Sequence, residues 1–401
     1  MPAEDSRIYL DNNATTRPFP EVVDVMSRHF LESYGNPGSR HAEGRAARRP
    51  LEEARESIAE ILDADPGEVI FTGSGTESTN LAIFGCTAGE PGAIALTAGE
   101  HPATTESCDA LERRGWRLHT LDVDAEGLLR SGQFDELPWP AGPDSPPSRA
   151  SSGELKLVTV ILAHNETGVI QDLQPLAEKC RENNVWFHVD AVQAVGKVPV
   201  RFHELGATSL SLGAHKFHGP RGIGALLLRD DASLSPYLFG GHQESGRRPG
   251  TEPVALAAGM AKALEIWDGD RDERIATIRA LRDRLQSGLE ATCAPTVVNG
   301  SRERRLPNTL NIAFPGAEGE AMLVQFDLEG VACSLGSTCA SGSAEPAPAL
   351  LAMGCPHDVC LSAVRFSVSY ENTPEEIDDA VQRIAGVVGR LREESKRGGT
   401  R

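Results

Sequence analysis

From Val69 to Leu228 the chain alternates short apolar runs of strand length with segments of helical spacing. The runs are Val69-Ile70-Phe71-Thr72, Ala93 to Leu96, Leu155 to Leu162, Val185 to Val189, Thr208 to Leu212 and Ile223 to Leu228. Between them, Thr76 to Phe84 and Leu173 to Glu182 read as helices. Strands that are apolar throughout, rather than at every second residue, are buried on both faces, and intervening helices are what cover them. The expected class is therefore α/β, a mainly parallel sheet with helices on both sides. Arg40 to Leu62 adds an amphipathic helix with Ala47, Leu51, Ala54, Ile58 and Leu62 on one stripe. Beyond Pro253 the pattern changes. Two or three helices are expected up to Leu289, then strands at Thr309 to Phe314 and Val364 to Val368, a helix at Gly319 to Leu328 and a terminal helix from Pro374, which suits a smaller α+β domain.

At 401 residues and 40% hydrophobic content the chain can bury a full core. Its 39 basic against 58 acidic residues give a net charge of -19, which argues against nucleic acid or an anionic membrane as a direct partner. No apolar run reaches the roughly 20 residues of a bilayer span, and Met1-Pro2-Ala3-Glu4-Asp5 lacks the features of a signal peptide, so a cytoplasmic protein is expected. The 8 cysteines contain no CxxC pair and form no disulfide framework; reduced thiols are expected. Pro138 to Gly153, rich in proline and serine, reads as a mobile surface loop without a catalytic role.

The chemistry gathers where the predicted strands end. Asp190 closes one strand, and Lys216, in His215-Lys216-Phe217-His218-Gly219-Pro220, follows another 26 residues later. Ligands of open α/β sheets bind at such ends. A carboxylate and a lysine there match what pyridoxal phosphate requires: an amine to hold its aldehyde and an acid to keep its ring nitrogen protonated. The plainer alternative is a turn cap and a solvated cation. Gly73-Ser74-Gly75-Thr76 opens a helix directly after a strand, so free N–H groups and the positive helix end face any anion, although Thr76 as a simple N-cap fits the same residues. His101, after the Ala93 strand, has an imidazole suited to lying on a ring face and carrying protons. Asn165 and Glu166 follow the Leu155 strand; an Asx turn is the alternative there. Cys339 sits in Ser334-Leu335-Gly336-Ser337-Thr338-Cys339-Ala340-Ser341-Gly342-Ser343, surroundings that expose a thiol and let it move, as a nucleophile needs. Cys333, in an apolar run, reads as core.

These residues resemble the pyridoxal-phosphate-dependent cysteine desulfurases of the class V aminotransferase superfamily, in the group that carries its nucleophile on a long loop. The resemblance runs through Tyr9 to Thr16, Tyr34 to Ser39, the Thr76 loop, His101, His164 to Gly168, Asp190, Lys216, Arg248 to Thr251, Cys339 and Arg365-Phe366-Ser367. It implies fold type I of the pyridoxal phosphate enzymes, with a large cofactor-binding domain over 1–255, to whose smaller neighbour the N-terminal segment contributes, and a C-terminal domain over 256–401 bearing the cysteine loop. By the same resemblance Lys216 would hold the cofactor covalently, Asp190 would pair with its ring nitrogen, and Asn165 and Gln193 would contact its hydroxyl. His101 would stack on the ring and act with Lys216 in proton transfer. Gly75, Thr76 and His215 would bind the phosphate, Thr251 would reach the phosphate of a neighbouring subunit in a homodimer, and Arg365 with Asn36 would clamp the substrate carboxylate. The implied reaction turns L-cysteine into L-alanine and passes sulfur, as a persulfide on Cys339, to an acceptor protein for iron–sulfur assembly or tRNA thiolation. Gly213 departs from the pattern, because family members commonly carry a serine three residues before the lysine. The competing readings are a selenocysteine lyase or related β-elimination or transamination, which need no mobile thiol, and a catalytically silent scaffold, which needs neither Lys216 nor Asp190.

Overall fold

The computed structural model of the protein describes residues 7–140, 153–335 and 346–398. The first part of the chain forms β1 (Ile8–Tyr9), α1 (Pro20–Glu32), α2 (Ala42–Leu62), β2 (Val69–Thr72), α3 (Gly75–Cys86), β3 (Ala93–Thr97), α4 (Pro102–Glu112) and β4 (Arg117–Leu121). Next come β5 (Leu155–Ile161), α5 (Gln174–Glu182), β6 (Trp186–Asp190), α6 (Phe202–Leu205), β7 (Ser209–Gly213) and β8 (Gly224–Leu228). The remainder is α7 (Val254–Gly269), α8 (Arg271–Thr292), β9 (Val297–Val298), β10 (Thr309–Ala313), α9 (Gly319–Leu328), β11 (Val331–Ala332), β12 (Ser334–Leu335), α10 (Pro348–Ala352), α11 (His357–Leu361), β13 (Ala363–Ser367) and α12 (Pro374–Gly398).

One seven-stranded sheet, ordered β2-β8-β7-β6-β5-β3-β4, organises the first part. The pairs from β4 through β7 are parallel, whereas β8 runs against β7 and β2 against β8. This arrangement brings Thr72, Thr97, Ile161, Asp190 and Gly213, the last residues of five strands, to a single edge. Every residue of β2, β3, β7 and β8 is buried, so these strands carry only apolar or small residues, with no charged side chain. Helix α2 turns Ala47, Leu51, Ala54, Ile58 and Leu62 into the same core and stops where Asp63 adopts a left-handed φ of 55°.

A second apolar cluster joins Ile8 and Leu10 to Leu281, Leu285 and Leu289 of α8, to Leu310, Ile312, Phe326, Val364 and Phe366, and to Ile377 and Ile384 of α12. The N-terminal strand β1 belongs here, paired in parallel with β11. Helix α7 does not: Val254, Ala257, Met260 and Leu264 pack in the first core, so the expected division after 255 falls within a helix of the larger unit. The reason is physical: α7 lies against α1 and α2 and fills the outer layer of the large sheet's core. Of the proline-rich stretch, Pro138 accepts a hydrogen bond from Leu155 N at 2.8 Å, which ties its start to the sheet; 141–152 lie outside the described residues.

Candidate active site

The segments leaving the common strand edge wall a cavity of about 230 Å3. Gly75, Thr76, His101, Asn165, Asp190, Gln193, His215 and Lys216 all line it, residues drawn from five different strand ends.

The β2–α3 turn supplies one wall. Ser74 caps α3 by accepting from Glu77 N at 3.1 Å, which leaves the Gly75 and Thr76 N–H groups of the first turn for an anion. Gly75 is required by close approach: a Cβ there would stand 2.6 Å from Val192 Cγ2. Glu77 braces the turn, accepting from Gly73 N at 2.7 Å and from Arg248 Nε at 2.7 Å.

The carboxylate of Asp190, a residue 3% exposed, accepts one hydrogen bond among the described residues, from Val192 N at 2.9 Å to Oδ1. Burial pushes its carboxyl up, while His101, the Val192 N–H and Lys216 pull it back. Lys216 follows β7 on a tight turn, and its Nζ donates to the carbonyls of Asn13 at 2.7 Å and Ala14 at 2.9 Å. Burial first and the Arg365 charge second lower its amine from 10.5 to about 8, against the opposing pull of Asp190 and Asp11. His101 is the N-cap of α4: Nδ1 accepts from Ala103 N at 3.0 Å, so the neutral ring carries its proton on Nε2. Its pKa is lowered by burial, with Asp190 opposing and Lys216 reinforcing. His215 is brought down to about 4 by burial and by Lys216 and Lys197, so it is neutral at pH 7 and has one N–H to donate.

Arg365, on β13, donates from Nη2 to Asp11 Oδ1 at 2.7 Å and from Nη1 to the Asn165 carbonyl at 3.1 Å. Its Nε is buried without a partner among the described residues, an orphaned donor next to the cavity wall that suits a carboxylate. Asp11 Oδ1 also accepts from Ser334 Oγ at 2.9 Å, at the root of the segment leading to Cys339. Cys339 itself, with 336–345, lies outside the described residues. Cys333 is half-buried beside the second core, and burial raises its thiol, in keeping with a core residue.

Two expected site residues are elsewhere. Asn36 and Thr251 share a separate cavity of about 430 Å3 with His29, Tyr34 and Pro253, and both are exposed. Within one chain Asn36 therefore does not join Arg365; its Oδ1 is engaged locally by Gly38 N at 2.9 Å. Sequence reasoning also missed three residues around the cavity, Asn13, Lys197 and Glu100, whereas it places Glu166 beside Asn165. Asn13 and Lys197 are buried and bonded to Gln193. Glu100, pushed up to about 8 chiefly by burial and then by Asp190, accepts from Ile161 N at 2.7 Å. Glu166 is raised to about 7 by burial, with Arg365 opposing. Asn13 stands in the quoted Tyr9 to Thr16 motif and Glu100 directly precedes His101, which were the available signals.

A phosphorylated pyridine aldehyde fits these residues: an anion cradle that only glycine permits, a buried carboxylate and a low-pKa amine surround one space. The comparisons agree. The family model for class-V aminotransferases matches residues 8–380. A cysteine desulfurase of Enterobacter agglomerans is 41% identical over 388 residues, 96% of this chain and 93% of that protein. A solved structure described as a NifS-like protein superposes with a TM-score of 0.86 at 32% identity, covering 96% of this chain and 100% of its own. Another, described as SspA in complex with cysteine, gives a TM-score of 0.73 at 28% identity over 91% of this chain and 99% of its own. The architecture is that of fold type I, and the chain belongs to the class-V aminotransferase family, among its pyridoxal-phosphate-dependent cysteine desulfurases.

Proposed function

We propose that this desulfurase moves the sulfur of L-cysteine onto Cys339 and then to an acceptor protein, releasing L-alanine. The observation that carries the reading is the single cavity joining Lys216, Asp190, His101 and the N-terminus of α3. A solved relative bound to cysteine supports the substrate. The Gly75 and Thr76 N–H groups, the Thr76 hydroxyl and His215 hold the phosphate; Asp190 keeps a proton on the ring nitrogen; Asn165 and Gln193 meet the ring hydroxyl. Bound there, pyridoxal phosphate supplies the electron sink at the substrate Cα. Lys216 Nζ, with an amine near pH 8, takes the Cα proton, and His101 Nε2 stands by for proton transfer. Arg365, through its unpartnered Nε, binds the substrate carboxylate. The Cys339 thiolate attacks the substrate sulfur; the new S–S bond forms as Cβ–S breaks, the bonding pair stays with the carbon skeleton, and protons complete alanine. No outside oxidant is needed, because a thiol and cysteine become a persulfide and alanine.

Asn36 and Thr251 act across the interface of a homodimer, which is supported by their own exposed cavity and by exposed Phe30, Leu31 and Tyr34 beside it. The domain division lies between α7 and α8. The acceptor belongs to iron–sulfur assembly or tRNA thiolation in a reducing cytoplasm, in line with seven unpaired cysteines among the described residues. Among those residues no helix is long and apolar enough to cross a membrane. Mass spectrometry after incubation with L-cysteine tests the chemistry: one added sulfur is expected on the Cys339 peptide, and Cys339→Ala is expected to stop alanine formation. Alanine production by Cys339→Ala at the wild-type rate would refute it.

A further inference from the structure

Lys197 is 6% exposed and has no carboxylate partner among the described residues, an expensive place for an amine that an apolar side chain of the same length would fill at lower cost. Burial, Lys216 and Arg365 all depress its pKa. Its Nζ donates to two amide oxygens, Asn13 Oδ1 at 2.8 Å and Gln193 Oε1. Both amide orientations agree with these contacts, since each NH2 faces a backbone carbonyl: Gln193 Nε2 donates to Asn13 O at 2.9 Å, and Asn13 Nδ2 to Asn165 O at 3.1 Å. A ring closes from Lys197 Nζ to Gln193 Oε1, from Gln193 Nε2 to Asn13 O, and from Asn13 Oδ1 back to Lys197. The Asn13 carbonyl in that ring is the one on which Lys216 Nζ rests. Asn13 is further pinned by Asn308 Nδ2 at 2.9 Å, Thr309 Oγ1 at 2.9 Å and Ser367 Oγ at 2.8 Å.

We propose that Lys197 is a positioning residue: by donating to the Asn13 and Gln193 amide oxygens it holds the oxygen of the Gln193 amide away from the cavity, presents the NH2 edge to the cofactor hydroxyl, and fixes the carbonyl that parks Lys216. With the amide reversed, an acceptor would face the ionised hydroxyl and a donor would face Lys197. This inference rests on the cofactor reading above and adds a residue to it. Reconstitution of wild type, Lys197→Met, Gln193→Met, the double variant and Lys197→Arg tests it, read as the dissociation constant for pyridoxal phosphate and the pH midpoint of the bound cofactor's absorbance. Lys197→Met is expected to weaken retention about 5- to 10-fold, the worth of roughly one hydrogen bond, and to shift the midpoint. Lys197→Arg, which keeps donors, is expected to restore both, and the double variant to match Gln193→Met alone, because Lys197 acts through that amide. An unchanged midpoint and affinity in folded Lys197→Met, or additive effects in the double variant, would overturn the proposal. Should Lys197→Met not fold, Lys197→Gln, too short to reach both acceptors, is judged by the same outcomes. Failure of wild type to take up the cofactor on Lys216 would instead sink the underlying cofactor reading.

Discussion

The Lys216 amine titrates in reach of neutral pH, and the consequence is measurable. An ordinary lysine at 10.5 is neutral in about 0.03% of molecules at pH 7, whereas one at about 8 is neutral in about 9%, a gain of roughly 300-fold in the nucleophilic form. Burial is the main cause and Arg365 the next, so replacing Arg365 with glutamine leaves the larger effect in place and removes the smaller. The assay is the rate at which apoenzyme, stripped of cofactor, captures pyridoxal phosphate between pH 6 and 10, with a free lysine derivative as reference. Because the reactive form is the deprotonated one, the rate should climb with pH, reach half its plateau near 8 and flatten above 9. Arg365→Gln should move that midpoint upward by about half a unit to one unit, the usual reach of a neighbouring charge, and slow capture at pH 7 by about 3- to 10-fold. A wild-type midpoint at 10 or above, or a downward shift in Arg365→Gln, would refute the electrostatic argument.

Glu100, raised to about 8, keeps a proton in the folded state that the unfolded chain releases near 4.5, so stability should fall as pH rises from 5 to 8. Glu100→Gln, which retains an acceptor for Ile161 N, should remove most of that slope, on the order of a few kcal/mol at pH 8, in melts run across the range. Gly75→Ala would drive a methyl to 2.6 Å from Val192 Cγ2 and should cost about 1–3 kcal/mol in denaturant titration, along with weaker cofactor retention; a variant as stable and as well loaded as wild type would contradict the cradle. At Gly213 a Cβ would stand 3.4 Å from Gly75 N, so Gly213→Ser fits and sets a hydroxyl beside the α3 N-terminus. Fluorescence titration should show pyridoxal phosphate binding tighter by about 1 kcal/mol, roughly fivefold.

The central strands were legible because β5 to β8 are buried on both faces, and their predicted limits fall within a residue or two of the observed ones. Strand β4 was not, since Arg117, His119 and Thr120 at the sheet edge break any apolar run. Helix α1 escaped too: only Val22 is buried, and Phe30 and Leu31 face outward. Much of the site was readable from one rule, that chemistry sits where parallel strands end, and this rule covers His101, Asn165, Asp190 and Lys216. What stayed hidden depends on contacts remote in sequence. Asn13 meets Lys197 and Asn308 across 184 and 295 positions, and no local pattern announces either. The burial of α7 is likewise decided by distant partners, α1 and α2.

Two lysines flank Asn13, and only one of these amines holds the cofactor. Borohydride reduction of the loaded protein, followed by peptide mass spectrometry, should find the pyridoxyl group on the peptide bearing Lys216 and leave Lys197 unmodified. Label on Lys197, or on neither, would contradict that assignment.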